Sequence, residues 1–156
     1  MSFHLDYLLD YLLDLPGVKV ETFTQIEGQI YLRLSVVASE IVCSHCNNYT
    51  EEIHQNRPIL ARVLSVFGRF VYLKVPRQFY CPICQCYRTE KLEFLAQKRR
   101  HTQRYEQNIY ARVQHSILEQ IGREEGLSYD EIKGIFAHVH SGKKSCWESA
   151  LASEYR

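Results

Sequence analysis

The sequence predicts an α+β protein in which a β-rich domain is followed by a helical domain. From Val18 the apolar residues recur with a period of two, which is typical of strands, and after residue 103 the period becomes 3.6, which is typical of helices. Two C-x-x-C pairs lie within the first of these regions. We therefore expect the β-rich domain over residues 1–96, a basic connector and helical domain over 97–140, and a short tail over 141–156.

The N-terminal segment FHLDYLLDYLLDLPG predicts an amphipathic helix that Pro16 and Gly17 end. Three aspartates spaced four residues apart form one stripe of this helix. The other stripe consists of the leucines at positions 5, 8, 9, 12 and 13. Such a stripe most often packs on its own domain, and a partner helix is the alternative. Because the segment has no basic n-region and the chain has no apolar run of membrane-spanning length, we expect no membrane partner.

Two β-hairpins are predicted between residues 18 and 81. The first pairs VKVETFTQIE with QIYLRLSVVAS across a turn at Glu27 and Gly28. The second pairs ILARVLSVF with RFVYLKVPRQFYC across a turn at Gly68, because glycine tolerates the positive φ that a tight turn needs.

Four cysteines form the pattern C-x2-C-x34-C-x2-C, namely Cys43, Cys46, Cys81 and Cys84. A C-x-x-C turn lets two thiolates bind one zinc ion while backbone N–H groups bond to the sulfurs, and two such turns complete a closed tetrahedral site. The spacer has the length of one hairpin, which would bring the pairs side by side. We therefore predict a structural Zn²⁺ in a zinc-ribbon-like domain, in a reducing compartment. Two alternatives remain: Cys86 replaces Cys84 as a ligand, or the cysteines are buried free thiols or a redox pair.

The net charge of +1 conceals a strong segregation of charge. Residues 1–52 carry 2 basic and 8 acidic side chains, residues 53–104 carry 11 and 2, and residues 105–156 carry 6 and 8. The basic middle indicates a polyanionic partner, and a solvated arginine-rich β-surface is the alternative. On the connector, Lys98, Arg99, Arg100 and Arg104 suit an arm that follows phosphates or enters a minor groove.

The stretch IGREEGLSYDEIKGIF, residues 121 to 136, predicts a helix-turn-helix. Gly122 is the small residue needed where the two helices meet, and Gly126 is the turn residue. Ser128 and Glu131 form a capping-box pattern at the start of the second helix. The expected buried residues are Leu127, Ile132, Ile135 and Phe136.

The second of these helices would be the recognition helix, from Ser128 to Val139, with Tyr129 and Lys133 facing the DNA. Asp130 and Glu131 would repel phosphate, so an ordinary pair of packed helices is the alternative. The period places the helices of this domain at about 103–113, 115–125 and 128–139.

The order of these motifs resembles the N-terminal part of insertion-sequence transposases of the ISL3 family. The resemblance rests on LLDLPGVKV, CSHC, the hairpin ending in CPIC, RTEKL, KRRHT and GLSYDEIKGIF, and covers roughly residues 8 to 140. It implies that the two cysteine pairs bind zinc and that the region from Lys98 to His140 contacts terminal inverted repeats. In that family a DDE-type catalytic domain follows. Because this chain ends at Arg156, we expect a truncated or solitary DNA-binding portion that is not an enzyme.

The expected function is zinc-dependent binding of double-stranded DNA in the bacterial cytoplasm, at the nucleoid. A second copy of the chain and the full-length transposase are further candidate partners. The alternative is a zinc-ribbon protein-interaction module that binds no DNA. A metallohydrolase is disfavoured because four thiolates leave no position for a zinc-bound water.

Overall fold

The computed structural model describes residues 3–38, 40–50, 53–54, 58–75, 78–89 and 91–154. The chain divides into two compact units, Met1–Thr102 and Gln103–Arg156. The described elements of the first unit are α1 (Phe3–Leu13), β1 (Val18–Ile26), β2 (Gln29–Val36), β3 (Ile41–Val42), β4 (Tyr49–Thr50), β5 (Ile53–His54), β6 (Ile59–Val66), β7 (Arg69–Val75), β8 (Gln78–Cys81) and β9 (Cys86–Thr89). The second unit contains α2 (Gln103–Val113), α3 (Leu118–Glu125) and α4 (Tyr129–Glu154). This α+β order confirms the predicted fold class.

Both predicted hairpins form, and they join into one sheet of strand order β1-β2-β7-β6. Each hairpin is antiparallel, and the two meet where β2 pairs with β7 in parallel, with Ile30 opposite Val71. Glu27 and Gly28 form the first turn at φ values of 50° and 78°, and Phe67 and Gly68 form the second at 51° and 73°. Two successive positive φ values characterise the two-residue turns whose twist matches that of paired strands.

One face of this sheet carries the core of the first unit. The buried residues are Val18, Val20, Leu32, Leu34, Ala61, Val63, Val71, Leu73, Val75, Phe94 and Leu95. They alternate along each strand because successive side chains point to opposite faces of a sheet. Leu9 and Leu13 of α1 and Leu15 pack against this cluster.

The helix α1 therefore packs on its own domain, as predicted, but not with its whole leucine stripe. Leu8 and Leu12 of the predicted stripe are exposed, whereas Leu9 and Leu13 pack, and Leu5 lies outside the described side chains. The stripe that packs is narrower, because the helix lies across the edge of the core beside β1. The carboxylate of Asp10 fixes it there by accepting a hydrogen bond of 2.7 Å from the Val20 N–H.

The segment 97–102 belongs to the first unit, six residues beyond the predicted boundary. The Arg62 N–H donates to the Arg100 carbonyl at 2.8 Å, and the Thr102 N–H donates to the Arg62 carbonyl at 2.9 Å. The segment thus runs parallel to β6, in a bridge between Arg62 and His101. The first part of the predicted basic connector therefore belongs to the β-rich unit, because its backbone is paired with a strand edge that the sequence pattern does not reveal.

The second unit is a three-helix arrangement around the buried Tyr105, Ile109, Ile121, Ile132 and Ile135. α2 has the predicted bounds, whereas α3 begins three residues later than predicted. α4 continues to Glu154, so the expected tail over 141–156 is helical up to that residue. Among the described residues, no helix is long and apolar enough to cross a membrane.

Candidate metal centre and nucleic-acid interface

The two cysteine pairs lie on two turns with matching backbones. In the first, the Cys43 N–H donates to the Asn48 carbonyl and the Asn47 N–H donates to the Cys43 carbonyl, both at 2.9 Å. Asn47, directly after the second cysteine, has a φ of 55°, and Gln85 occupies the same place in the second turn with a φ of 51°. Each turn is closed by a short antiparallel pair of strands, β3 with β4 and β8 with β9.

The four sulfurs of these turns form one cluster in which all lie within 4.8 Å of one another. The Cys43 Sγ is 3.7 Å from the Cys84 Sγ, and the Cys46 Sγ is 3.5 Å from the Cys81 Sγ. Zinc binds thiolates at about 2.3 Å in tetrahedral geometry, which separates two sulfurs by about 3.8 Å. The arrangement therefore fits one tetrahedral ion, and the predicted side-by-side placement of the pairs is confirmed.

The second turn also brings Cys86 near the cluster, with its Sγ 2.8 Å from the Cys84 Sγ. However, Cys86 corresponds in position to Asn48 of the first turn, and it pairs with Cys81 across β8 and β9. It is not one of the four mutually close thiols. The internal symmetry of the two turns thus favours Cys84 over Cys86 as the fourth ligand.

Backbone N–H groups favour the thiolate forms in the first turn. The N–H of Cys46, followed by that of His45, lowers the pKa of the Cys43 thiol to about 6. The backbone N–H of Asn48 and then its side-chain amide lower the pKa of Cys46. In contrast, the hydrogen bond with Cys86 raises the pKa of Cys84. Since zinc binds the deprotonated thiol, the first turn is already suited to the ion.

The cluster of four cysteines is partly shielded from water. Cys43 and Cys81 are buried, and they pack with Ile41 and Phe79 in a small apolar cluster of their own. The β6–β7 hairpin occupies much of the spacer between the cysteine pairs, but it belongs to the larger sheet. A closed, four-thiol site of this kind is typical of structural zinc.

In the second unit, the turn between α3 and α4 has the geometry of a helix-turn-helix. Gly126 ends α3 in the left-handed conformation, with φ 63° and ψ 34°. The Leu127 N–H donates to the Gly122 carbonyl at 3.0 Å, and Leu127 is buried. The predicted roles of Gly122 as the small residue and of Gly126 as the turn are therefore confirmed.

A capping box begins α4, as the sequence predicted. The Glu131 N–H donates to the Ser128 Oγ at 3.3 Å, while the Ser128 N–H donates to the Glu131 carboxylate at 2.8 Å. Ile132 and Ile135 are buried, and Phe136 is half-buried and stacks on Tyr110. The opposite side of the first turns of α4 is exposed.

Polar contacts that sequence reasoning missed hold α2 against its neighbours. Glu106 is buried and its Oε2 lies 2.7 Å from the Nδ1 of His138 on α4. Glu125 on α3 accepts a hydrogen bond of 3.1 Å from the Tyr105 hydroxyl and pairs with Arg112. No periodicity marks these pairs, because each joins residues far apart in sequence.

Comparison with protein families gives two matches in this chain. Residues 39–86 match the zinc-finger of transposase IS204/IS1001/IS1096/IS1165, and residues 90–140 match the helix-turn-helix domain of transposase family ISL3. The chain carries the zinc-finger and helix-turn-helix domains of ISL3-family transposases. Comparison with curated proteins and with solved structures gives no significant match.

Within the ISL3 domains, the predicted DNA-contacting residues lie on both units. Lys98 and Arg100 are exposed and Arg99 is half-buried on the segment beside β6. Arg104 is exposed in the first turn of α2. Tyr129 is 58% exposed in the first turn of α4, and Lys133 follows one turn later on the exposed side.

Proposed function

We propose that this chain binds double-stranded DNA through its helix-turn-helix and that a structural zinc ion holds its β-rich unit together. The observation that carries the proposal is the turn from Gly122 to Ser128, which fixes α4 on α3 and leaves the first turns of α4 exposed. A helix held in this way is the element that enters the major groove in DNA-binding proteins of this class.

Zinc would be held by Cys43, Cys46, Cys81 and Cys84. A zinc ion bound there would cross-link the two cysteine turns. Four thiolates would leave no open position for a reacting water. In the chain itself, backbone N–H groups of the first cysteine turn stabilise the Cys43 thiolate. Ile41 and Phe79 pack against Cys43 and Cys81 and shield their sulfurs from solvent. The ion therefore has a structural role.

Tyr129 and Lys133 would contact base edges from α4, while Lys98, Arg99, Arg100 and Arg104 would contact phosphates. Of the two acidic residues that follow Tyr129, Glu131 bonds to Ser128 within the capping box. Its carboxylate is thereby held toward the helix start and partly screened by two donors, which lessens its repulsion of phosphate. Asp130 is exposed and is the remaining unfavourable charge.

The DNA that we propose as the target is the terminal inverted repeat of an insertion sequence, bound in the bacterial cytoplasm at the nucleoid. The match to ISL3 transposase domains supports this target. Fluorescence-anisotropy titration of the zinc-loaded chain on a terminal-repeat duplex and on a scrambled duplex tests it. Tighter binding to the repeat supports the proposal, and equal binding to both limits the function to non-specific DNA binding.

A second candidate function is protein interaction through α1. Its outward side exposes four large apolar side chains, at 52 to 82% of their surface. They are Tyr7, Leu8, Tyr11 and Leu12. An apolar patch of this kind suits a second copy of the chain or the full-length transposase. Sedimentation of the wild type and of Tyr11→Glu tests this: a dimer that the substitution dissociates supports it, and a monomeric wild type removes the second-copy candidate.

A further inference from the structure

The turn between β6 and β7 contains an unfavourable residue for its conformation. Phe67 has a φ of 51°, in the left-handed region that suits glycine or asparagine and that a bulky side chain rarely adopts. Val66 and Arg69 pair directly across the turn, so both turn residues must keep positive φ values. Phenylalanine at this position therefore costs the fold stability.

Packing does not offset that cost. The Phe67 side chain is 100% exposed, and the neighbouring Val66 is 45% exposed. An aromatic ring left in water contributes nothing to the core and promotes association with other molecules. A residue with an unfavourable backbone conformation and a fully exposed apolar side chain suggests a role other than stabilising the fold.

The charge of the hairpin segment indicates the kind of partner. Residues 53 to 89 contain no aspartate or glutamate and six basic residues. Of these, Arg69 directly follows the turn and is exposed, whereas Arg62 is buried. An apolar tip with a basic neighbour fits a polyanion that also has apolar surfaces. A DNA duplex is such a partner, because its phosphates are anionic and the stacked faces of its base pairs are apolar.

The geometry of the hairpin suits insertion. The parallel pairing of β2 with β7 holds the hairpin in the four-stranded sheet, and this pairing reaches Val71, two residues after Arg69. A register shift between Val63 and Val66 lies just before the tip, and such bulges re-aim the end of a strand. The turn between β1 and β2 has Glu27 in the position that Phe67 occupies between β6 and β7. Phosphate would repel Glu27, so of these two turns the one with Phe67 is better suited to DNA.

We propose that Phe67 is an apolar wedge that enters between two base pairs from the minor groove and bends the bound duplex. Architectural DNA-binding proteins use phenylalanine and other apolar side chains in this manner, partly unstacking one base step. The inference rests on the proposed function, because it requires that the chain binds duplex DNA. It adds a bend and a second contact to the helix-turn-helix.

The test uses the full zinc-loaded chain, a terminal-repeat duplex labelled at both ends, and energy transfer between the labels. The wild type should shorten the end-to-end distance at saturation. Phe67→Asn should abolish that shortening and weaken binding by about tenfold. It should leave unchanged the slope of log affinity against log salt concentration (the salt slope), since no phosphate contact is lost. Asparagine suits the left-handed turn, so the variant should melt no lower than the wild type.

Two control variants separate the wedge from charge and from general damage. Phe67→Trp should keep the bend, because indole is also a flat apolar wedge. Arg69→Ala should lower the salt slope by about one while keeping the bend. If Phe67→Asn binds and bends the duplex like the wild type, the wedge is wrong and DNA binding still stands. If Phe67→Asn instead loses self-association and keeps the bend, the tip is a protein contact and the wedge is overturned. A wild type that binds neither the terminal-repeat duplex nor the scrambled duplex overturns the proposed function as well.

Discussion

A Cβ atom placed on Gly122 would lie 2.8 Å from the carbonyl oxygen of Leu127. That distance is shorter than any ordinary contact between a carbon and an oxygen, and the oxygen belongs to the backbone, so no side chain can move aside. The glycine thus sets how closely α3 approaches the start of α4. The exposed turns of α4 that we assign to DNA depend on this approach.

Gly122→Ala should lower the free energy of unfolding of the second unit by about 1 to 3 kcal/mol, the usual cost of overpacking. Gly134→Ala is the matched control, because it also lies in a helix but has no atom within 4 Å of the added Cβ. It should stabilise α4 by about 0.5 to 1 kcal/mol, since alanine favours helices over glycine. Denaturant titration measures both, and equal effects of the two substitutions would mean that the close approach is not tight in solution.

Protein purified without added metal should contain about one zinc per chain, as four thiolates at tetrahedral spacing imply. Cys43→Ser and Cys81→Ser should each lose that zinc. Cys146→Ser should retain it, because Cys146 belongs to neither pair. Elemental analysis of the purified variants measures the stoichiometry. Cys86→Ser should also retain zinc, and loss of zinc in this variant would move the fourth ligand from Cys84 to Cys86.

Chelation of zinc should unfold the first unit before the second. The cysteine turns depend on two short strand pairs and a small apolar cluster, whereas the helices of the second unit have their own buried residues. Hydrogen exchange followed by mass spectrometry measures each unit separately. We expect early loss of protection in peptides covering 41–89 and retained protection in α2 and α3. Simultaneous loss in both units would contradict independent stabilisation.

Local sequence patterns predicted the features that depend on neighbouring residues. The turn at Glu27 and Gly28, the cysteine turns and the capping box of Ser128 all require particular residue types within a few positions, and the sequence displays them. The parallel pairing of β2 with β7 and the bridge between Arg62 and His101 were not predictable, because they join distant segments through backbone atoms that carry no sequence signal. The side-chain contact between Glu106 and His138 was not predictable either, because it joins two helices at positions that no local pattern relates.

Replacement of Lys98, Arg99, Arg100 and Arg104 by alanine should flatten the dependence of log affinity on log salt by roughly 3 to 4, because each phosphate contact contributes about 0.9. The lower end is expected if the half-buried Arg99 contributes less than the other three. Anisotropy titrations at several salt concentrations measure the slope. Circular dichroism of the variant checks that the segment beside β6, which backbone hydrogen bonds join to that strand, is still folded. An unchanged slope would show that the phosphates are contacted elsewhere.

We propose that α4 reads the base sequence of duplex DNA. The most direct measurement is the ratio of affinities for a terminal-repeat duplex and a scrambled duplex, taken for the wild type and for the Tyr129→Ala, Lys133→Ala double variant. We predict that the wild type prefers the repeat and that the double variant loses most of this preference while keeping most of its salt slope, since base contacts specify and phosphate contacts position. A double variant that retains the full preference would contradict the account.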